Sequence, residues 1–296
     1  MRNSFIKALV KSAEQNKNIV LVVGDLGYSV VEPFADKFPN RFINAGIAEQ
    51  NMTGLASGMA SEGYHVFTYS IANFSSFRCA EQIRNDVDYH NLPVTVVAVG
   101  GGLAYGNLGY SHHAIQDFSL MRSFPNMVII APADPIEMTE CINFLIQNPQ
   151  PSYLRINKSG EKNLFDKHLK LNPGSVNLYN KSIKTKKIIL TTGAVFNLAI
   201  DIWESDSALM QEWCVGSIPI WGEPFRGKIK QELSQYNKIV TLEEHLISGG
   251  FGSFLLESNL ECKINCLDKK VCNEVGTQEY LKNMFGLKKD ITLVLD

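Results

Sequence analysis

The sequence predicts an α/β protein of two domains, each built around a mainly parallel sheet. Short β-branched runs alternate with longer amphipathic runs, which is typical of βαβ units. Residues 94–99 form an almost continuous apolar run, as expected for a parallel strand buried on both faces. Between residues 158 and 187 this alternation stops, and Lys, Asn, Gly and Ser are frequent around Pro173-Gly174. This interruption indicates a linker between domains.

The individual elements follow from the same alternation. In the first half, strands are predicted at residues 18–23, 41–44, 65–69, 94–99, 127–130 and 152–156, and helices at residues 49–61, 76–90 and 135–147. In the second half, strands are predicted at residues 187–192, 214–220, 238–242 and 263–267, and helices at residues 194–204, 227–235, 250–260 and 277–285. We therefore predict domains at residues 1–157 and 186–296, with a linker at residues 158–185.

The composition excludes several classes of protein. The chain has 296 residues, of which 45% are hydrophobic and 20% charged, as in globular proteins. A net charge of -2 provides no basic surplus for nucleic acid. We find no signal-peptide run and no membrane-length apolar stretch. The six cysteines form no C-x-x-C pair, so we expect reduced thiols, no metal site and a cytoplasmic protein.

Two glycine-containing stretches resemble nucleotide-binding motifs but lack necessary residues. Ile229 follows Gly227-Lys228, where a P-loop needs Ser or Thr to hold magnesium. After the glycine run at residues 100–102, Tyr105 stands where a dinucleotide fingerprint needs its third glycine. We expect the run instead to mark a strand end where the backbone passes close to a ligand or a neighbour.

Residues 44–52, Asn-Ala-Gly-Ile-Ala-Glu-Gln-Asn-Met, are the most informative stretch of the chain. They join a predicted strand end to a helix start, where open α/β sheets bind ligands. Taken alone, Glu49 is explained as a charge that complements the helix dipole. Small residues around it permit another surface to approach, and Phe74 and Phe77 follow the next strand. Such aromatics often only cap a core, but beside a buried carboxylate they can sandwich a flat heterocycle.

Four motifs of the first half, in order and spacing, resemble the pyrimidine-binding domain of transketolases. They are Gly46-Ile47-Ala48-Glu49-Gln50-Asn51-Met52, Glu81-Gln82-Ile83-Arg84-Asn85-Asp86, Ser111-His112-His113 and Ala131-Pro132-Ala133-Asp134. Residues 241–245 and the late Gly276-Thr277-Gln278-Glu279 resemble the transketolase C-terminal domain. The chain is also similar to 1-deoxyxylulose-5-phosphate synthase. The resemblance implies a thiamine-diphosphate-binding domain of the pyrimidine type followed by a transketolase C-terminal-like domain.

The resemblance implies roles for the residues around the cofactor. In this family a glutamate bonds N1′ of the aminopyrimidine, which enables the neighbouring imino group to take the C2 proton of thiamine diphosphate. Glu49 matches that glutamate, and the role needs a desolvated carboxyl group. Phe74 is expected to stack on the pyrimidine ring, and Phe77 to line the same pocket. Asp25 matches a position near the thiazolium.

Three further residues match substrate positions of the family. His112 matches a histidine that points at the reacting carbonyl; otherwise His112 and His113 are surface residues or a weak metal pair. Arg155, at the end of a predicted strand, matches the arginine that binds a sugar phosphate; its alternative is a surface charge. Ser29 matches a position near the substrate phosphate, although a serine in a turn needs no function to explain it.

Two departures from the family pattern affect the substrate. Transketolases usually have an aspartate that reads a substrate hydroxyl where this chain has Leu108. An upstream family histidine is replaced by glycine around Gly100. Loss of a hydrogen-bonding carboxylate alters selectivity strongly, so we expect a donor or acceptor other than an ordinary pentose or hexose phosphate.

A third departure concerns the diphosphate. Full-length relatives carry a Gly-Asp-Gly motif and an asparagine that hold Mg2+ and the diphosphate, and Gly24-Asp25-Leu26 is not that motif. The resemblance therefore implies a separate N-terminal subunit that carries Mg2+ and the diphosphate site. The cofactor is expected at the interface, and two copies of each chain form a heterotetramer by analogy.

The implied function is that of a transferase subunit. It transfers a two-carbon ketol unit between sugars or sugar phosphates and is active only with the N-terminal subunit. The alternatives are a deoxyxylulose-phosphate-type synthase, the beta chain of a 2-oxoacid dehydrogenase, and a non-catalytic regulatory subunit. Residues 48–52 and the late Gly-Thr-Gln are more typical of transketolase than of the dehydrogenase. Retention of Glu49, Phe74, His112 and Arg155 together argues against loss of activity.

Overall fold

Strands and helices alternate throughout the computed structural model, which describes residues 1–157, 162–180 and 185–288. The strands are β1 (Ile19–Val23), β2 (Phe42–Asn44), β3 (His65–Ile71), β4 (Val94–Val99), β5 (Val128–Ile130), β6 (Ser152–Ile156), β7 (Asn177–Leu178), β8 (Lys187–Thr191), β9 (Cys214–Ser217), β10 (Ile220–Trp221), β11 (Lys238–Leu246) and β12 (Lys263–Leu267). The helices are α1 (Arg2–Gln15), α2 (Glu32–Lys37), α3 (Glu49–Ser61), α4 (Ala72–Ser76), α5 (Ala80–Gln82), α6 (Asp117–Met121), α7 (Pro135–Gln147), α8 (Phe196–Glu204), α9 (Ser207–Glu212), α10 (Arg226–Leu233), α11 (Phe251–Glu257) and α12 (Gln278–Met284). Within the described ranges, no helix combines the length and the apolar character needed to cross a membrane.

The described strands form two sheets. The first has the order β10-β5-β6-β4-β3-β1-β2, and the second has the order β12-β11-β8-β9-β7. Neighbouring strands are parallel except that β10 is antiparallel to β5 and β7 is antiparallel to β9. The predicted class, α/β with mainly parallel sheets, is confirmed. The proposed boundaries at residues 157 and 186 stay a prediction, and the linker's residues 158–161 and 181–184 lie outside the described residues.

The core of the first sheet explains why polar groups collect at its strand ends. Every residue of β4 is buried. Val94 and Val96 pack into one apolar cluster, whereas Val97 and Val99 pack into the cluster on the opposite face. Because both faces are occupied by apolar side chains, the loops beyond the carboxyl ends of the strands are the place where this sheet can bind a ligand.

One predicted strand is divided between the two sheets. Residues 214–220 were predicted as a single strand, but β9 ends at Ser217 and β10 begins at Ile220. Pro219 lies between them, and it cannot donate a backbone hydrogen bond to a ladder. Its carbonyl accepts a hydrogen bond from the N–H of Ala131 in the first sheet. The break thus lets β10 leave the second sheet and pair with β5.

The helix predicted at residues 76–90 is also different in the structure. The chain forms α4 and α5, and these are followed by a π-helical segment at Ile83–Asp88. A π-helical segment takes one extra residue per turn, so the continuous α-helical register of the prediction is wrong here. The helices α1, α2, α6 and α9 were not predicted. The first of these packs against α7 and buries Phe5, Ile6 and Leu9.

A pH-dependent term in stability follows from His65 at the start of β3. Its ring is buried, shares a hydrogen bond of 3.1 Å with Thr95 Oγ1 and stacks on Phe67. Burial lowers the pKa of His65 from 6.5 to about 4. Between these values the unfolded chain takes up a proton that the folded chain does not, so the free energy of unfolding decreases as the pH falls.

We expect this histidine to contribute roughly 3 kcal/mol to that decrease. H65Q should remove its contribution, and urea unfolding at several pH values measures the difference from wild type. H168Q, at an exposed histidine, is the matched control and should retain the wild-type slope. Equal slopes for wild type and H65Q would contradict the prediction.

Candidate active site

The carboxylate of Glu49 is buried at the first turn of α3, with 5% of its side chain exposed. It follows β2 directly, across a turn in which Gly46 adopts a φ of +74° and donates a hydrogen bond to the Asn44 side chain. Gly24, after the adjacent strand β1, lies against Glu49, and a Cβ at that glycine would stand 3.6 Å from Glu49 Cγ. The absence of side chains at Gly24 and Gly46 therefore allows the chain to pack closely around the buried carboxylate.

Arg78 is the side chain that contacts this carboxylate. Its Nη1 lies 3.3 Å and 3.2 Å from the two oxygens of Glu49. Its guanidinium carbon lies 3.8 Å from the centre of the Phe74 ring, which is a cation–π distance. Sequence reasoning missed Arg78. The available signal was its i,i+4 spacing from Phe74, which brings two side chains together on a helix, although α4 ends at Ser76.

A cleft of about 520 Å³ opens at Glu49 and Arg78. Its lining residues are Ile47, Ala48, Glu49, Gln50, Asn51 and Arg78. Phe74 borders this region through its contact with Arg78. Phe77 is 43% exposed and is not among the lining residues of this cleft. Its place in a cofactor pocket stays a prediction.

His112 lies beside the same aromatic ring. The ring centres of His112 and Phe74 are 5.0 Å apart. Asn73 anchors the histidine loop, because its Nδ2 donates a hydrogen bond of 2.9 Å to the Ser111 carbonyl. Burial, and then the positive charge of Arg78, lower the pKa of His112 from its ordinary value. The imidazole is therefore neutral at neutral pH and can accept a proton.

Asp25 and Ser29 lie in the loop after β1, and both have positive φ angles, of 52° and 64°. Asp25 exchanges two hydrogen bonds with Asn44: its N–H donates at 3.2 Å, and its Oδ1 accepts at 2.9 Å. This pair joins the ends of β1 and β2 beside the turn that leads to Glu49. Ser29 is exposed, and its N–H donates to the Glu32 side chain at 2.7 Å. The predicted cofactor and substrate contacts of both residues stay predictions.

The structure does not bring Arg155 to the Glu49 cleft. Its side chain is 10% exposed, and its Nε lies 3.2 Å from Oδ2 of the fully buried Asp117. Its Nη2 donates hydrogen bonds of 2.8 Å and 3.0 Å to the carbonyls of Ala114 and Glu244. Arg155 thus joins β6 to β11 of the second sheet. The predicted contact with a sugar phosphate stays a prediction.

The glycine run at residues 100–102 passes close to neighbouring side chains, as the sequence suggested. A Cβ at Gly102 would stand 2.6 Å from Glu244 Oε1. That oxygen accepts hydrogen bonds of 2.8 Å from the Leu103 N–H and from Gln278 Nε2. The two C-terminal motifs therefore meet each other and the loop that precedes His112.

The chemistry of the region around Glu49 follows from its side chains. Within residues 1–157, 162–180 and 185–288, no group of three His, Cys, Asp or Glu side chains could hold a metal ion. All six cysteines are free. The cleft contains the buried Glu49 carboxylate and Arg78, and the Phe74 ring and the His112 imidazole follow next to Arg78. These groups can hold a flat nitrogen heterocycle and exchange protons with it and with a substrate.

Comparison of the chain with known proteins identifies its relatives. The transketolase, pyrimidine binding domain family matches residues 1–161. A protein named as a transketolase C-terminal section, from Methanocaldococcus jannaschii, is 31% identical over 264 residues, which are 87% of this chain and 81% of that protein. One of the subunits of an apulose-4-phosphate transketolase, from Phocaeicola vulgatus, is 29% identical over 266 residues, which are 87% of this chain and 82% of that protein.

A solved structure extends the similarity over the full fold. It is described as a split gene transketolase in the form of an inactive beta4 tetramer, and its TM-score to this chain is 0.83. The two chains are 28% identical, and the match covers 99% of this chain and 97% of the other. Both halves of the chain are thus similar to one subunit of a divided protein.

The buried position of Arg155 predicts a stability effect. R155M leaves the Asp117 charge buried without its cationic partner, which costs about 3–5 kcal/mol. We expect thermal unfolding of the isolated chain to show this loss, and D117N in the R155M background to recover part of it. K187M, which breaks the exposed pair with Glu212, is the control and should cost at most about 1 kcal/mol. A fully stable R155M protein with a raised KM for a phosphorylated sugar would favour the substrate role instead.

Proposed function

This chain belongs to the transketolase family, and we propose that it is the C-terminal subunit of a two-chain, thiamine-diphosphate-dependent transketolase-like enzyme. The observation that carries the proposal is the burial of the Glu49 carboxylate at the connection between β2 and α3, where Arg78 links it to the Phe74 ring. The enzyme transfers a two-carbon ketol unit between sugars or sugar phosphates. The chain contributes one wall of the site and is active only with an N-terminal subunit.

The residues present fit the aminopyrimidine part of the cofactor. When bound, thiamine diphosphate would supply a carbon acid whose conjugate base adds to the carbonyl of the ketol donor. We assign the Glu49 carboxyl group, which is 5% exposed, to the hydrogen bond with N1′ of the ring. Phe74 offers its face to the ring. We also place Phe77 at the edge of this pocket and Asp25 on the thiazolium side.

The substrate is handled by groups next to this ring. His112 is neutral, for the reasons given above, and can exchange a proton with the oxygen of the reacting carbonyl. We assign Arg155 and Ser29 to the sugar phosphate, as the family resemblance implies. Of these two, Ser29 is exposed and accessible, whereas Arg155 is paired with Asp117 and lines a small pocket with Gly101 and Thr192.

A second chain supplies what this one lacks. The cleft's charged side chains, Glu49 and Arg78, offer no cluster of acidic ligands for a cation. We therefore propose that an N-terminal subunit carries Mg2+ and the diphosphate site, and that two copies of each chain form a heterotetramer. The names of the relatives, one a C-terminal section and the other one of several subunits, support a divided enzyme. We place the assembly in the cytoplasm, in keeping with six free cysteines.

The central test is co-expression with the N-terminal subunit, followed by thiamine diphosphate binding with Mg2+ and a screen of ketose donors. E49Q should lower ketol transfer by roughly 10²–10⁴-fold while the variant still assembles with its partner. E62Q, at the exposed C-terminal end of the same helix, should have wild-type activity. A purified pair that binds no thiamine diphosphate in the presence of Mg2+ would overturn the proposal.

The products separate this function from its alternatives. Transfer of a two-carbon unit from a ketose donor to an aldose acceptor supports the transketolase-like reaction. Release of CO₂ with condensation onto an aldehyde phosphate indicates the synthase, and oxidative decarboxylation of a 2-oxoacid indicates the dehydrogenase. Full activity of the N-terminal subunit alone indicates a regulatory role for this chain.

Leu108 predicts an altered substrate preference. Its side chain is 56% exposed at the end of the short helix Gly106–Leu108, four residues before His112. An aspartate at this position regains a hydrogen bond to a substrate hydroxyl, so L108D should shift kcat/KM toward ordinary hydroxylated ketoses by at least about tenfold. L108N is the uncharged control. An unchanged ratio of kcat/KM values for hydroxylated and deoxy donors would contradict a selective role for this position.

A further inference from the structure

The guanidinium of Arg78 occupies the position between the Phe74 ring and the Glu49 carboxylate. It lies 3.8 Å from the ring centre and within 3.2–3.3 Å of both carboxylate oxygens. It is planar, and it carries donors in a rigid fork that matches a carboxylate. It therefore uses the same two surfaces, an aromatic face and a buried carboxylate, that a flat heterocycle needs.

These two occupants compete for the same groups. The Arg78 guanidinium contacts both oxygens of Glu49 and covers a face of the Phe74 ring. A heterocycle that stacks on this face and bonds the same edge of Glu49 must displace it. Arg78 in this position therefore obstructs the proposed role of Glu49.

The position of Arg78 allows its side chain to move away from Glu49. Its side chain is 48% exposed, so its charged end regains water without crossing the core. Arg78 belongs to the segment of residues 77–79, which connects the short helices α4 and α5. The π-helical segment Ile83–Asp88 follows α5. An interrupted helix constrains a side chain less than a continuous one. Glu49, at 5% exposure, cannot move away in the same manner.

We propose that Arg78 is a latch that closes the aminopyrimidine pocket in the isolated subunit and must swing out when the cofactor and the partner subunit arrive. The latch rests on the proposed function of Glu49. Before assembly, the Arg78 guanidinium pairs with the Glu49 carboxylate, which would otherwise be an unpaired buried charge. The latch also lowers the apparent affinity for the cofactor, because only the fraction of molecules with an open latch can bind.

Substitution of Arg78 tests the latch in the assembled enzyme. R78M retains length but has neither charge nor donors, and we expect it to bind thiamine diphosphate with Mg2+ about tenfold more tightly than wild type. R78K retains the charge but not the planar fork, so its affinity should lie between the two. R84M is the matched control, since Arg84 is exposed and contacts the Asn85 side chain; it should bind like wild type. Titration calorimetry of the two-chain complex measures all four affinities.

A second measurement uses the isolated chain without any cofactor. A double-mutant cycle of R78M and E49Q on the free energy of unfolding reports whether the pair exists in solution. Non-additive effects support a closed latch, and strictly additive effects overturn it. The cycle also establishes that the variants fold.

The outcomes separate the latch from the function on which it rests. Tighter binding by R78M together with a coupled cycle supports the latch. Cofactor binding by wild type with equal or weaker binding by R78M overturns the latch and leaves the proposed function intact, because Arg78 would then belong to the occupied site. Failure of every variant, wild type included, to bind thiamine diphosphate overturns the proposed function and the latch with it.

Discussion

The burial of one carboxylate, that of Glu49, is the constraint on which the rest of this structure depends. A carboxylate removed from water needs a partner, because an unpaired buried charge is strongly destabilising. Its own subunit provides Arg78 from a half-exposed position. Glu49 and Arg78 both line an open cleft. A fold that keeps such a group at the edge of an open surface is understandable if a second surface and a ligand complete the site.

The second half of the chain stabilises the wall that carries this carboxylate. Asp117, fully buried, accepts a hydrogen bond of 2.7 Å from the Tyr153 hydroxyl and pairs with Arg155. In β11, the Glu244 carbonyl accepts a hydrogen bond from Arg155, and the Glu244 side chain accepts one from the Leu103 N–H. These polar contacts, together with the pairing of β10 and β5, fix the loop between β4 and β5 from both sides. His112 lies on that loop, so the C-terminal half helps to position its imidazole.

Local patterns predicted the elements whose formation depends on nearby residues. The bounds of α3, α7, β4 and β6 agree with the sequence prediction, because apolar periodicity and helix-terminal residues are local signals. Asp134, for example, caps α7 by accepting a hydrogen bond from Glu137 N–H at 2.7 Å. The prediction was wrong at residues 76–90 and 214–220. There the outcome depended on a π-helical turn and on a strand that changes sheets, and neither leaves a periodic signal.

The amino-acid sequence by itself determined the fold class, the family motifs and the place of Glu49 at the start of a helix after a strand. Each of these depends on residue types at short spacing. Only the tertiary structure decided which arginine side chains pair with which carboxylates. Arg78 reaches across 29 positions to Glu49, and Arg155 across 38 positions to Asp117. Such pairings follow from side-chain directions and from the packing of distant elements, and a one-dimensional pattern does not contain that information.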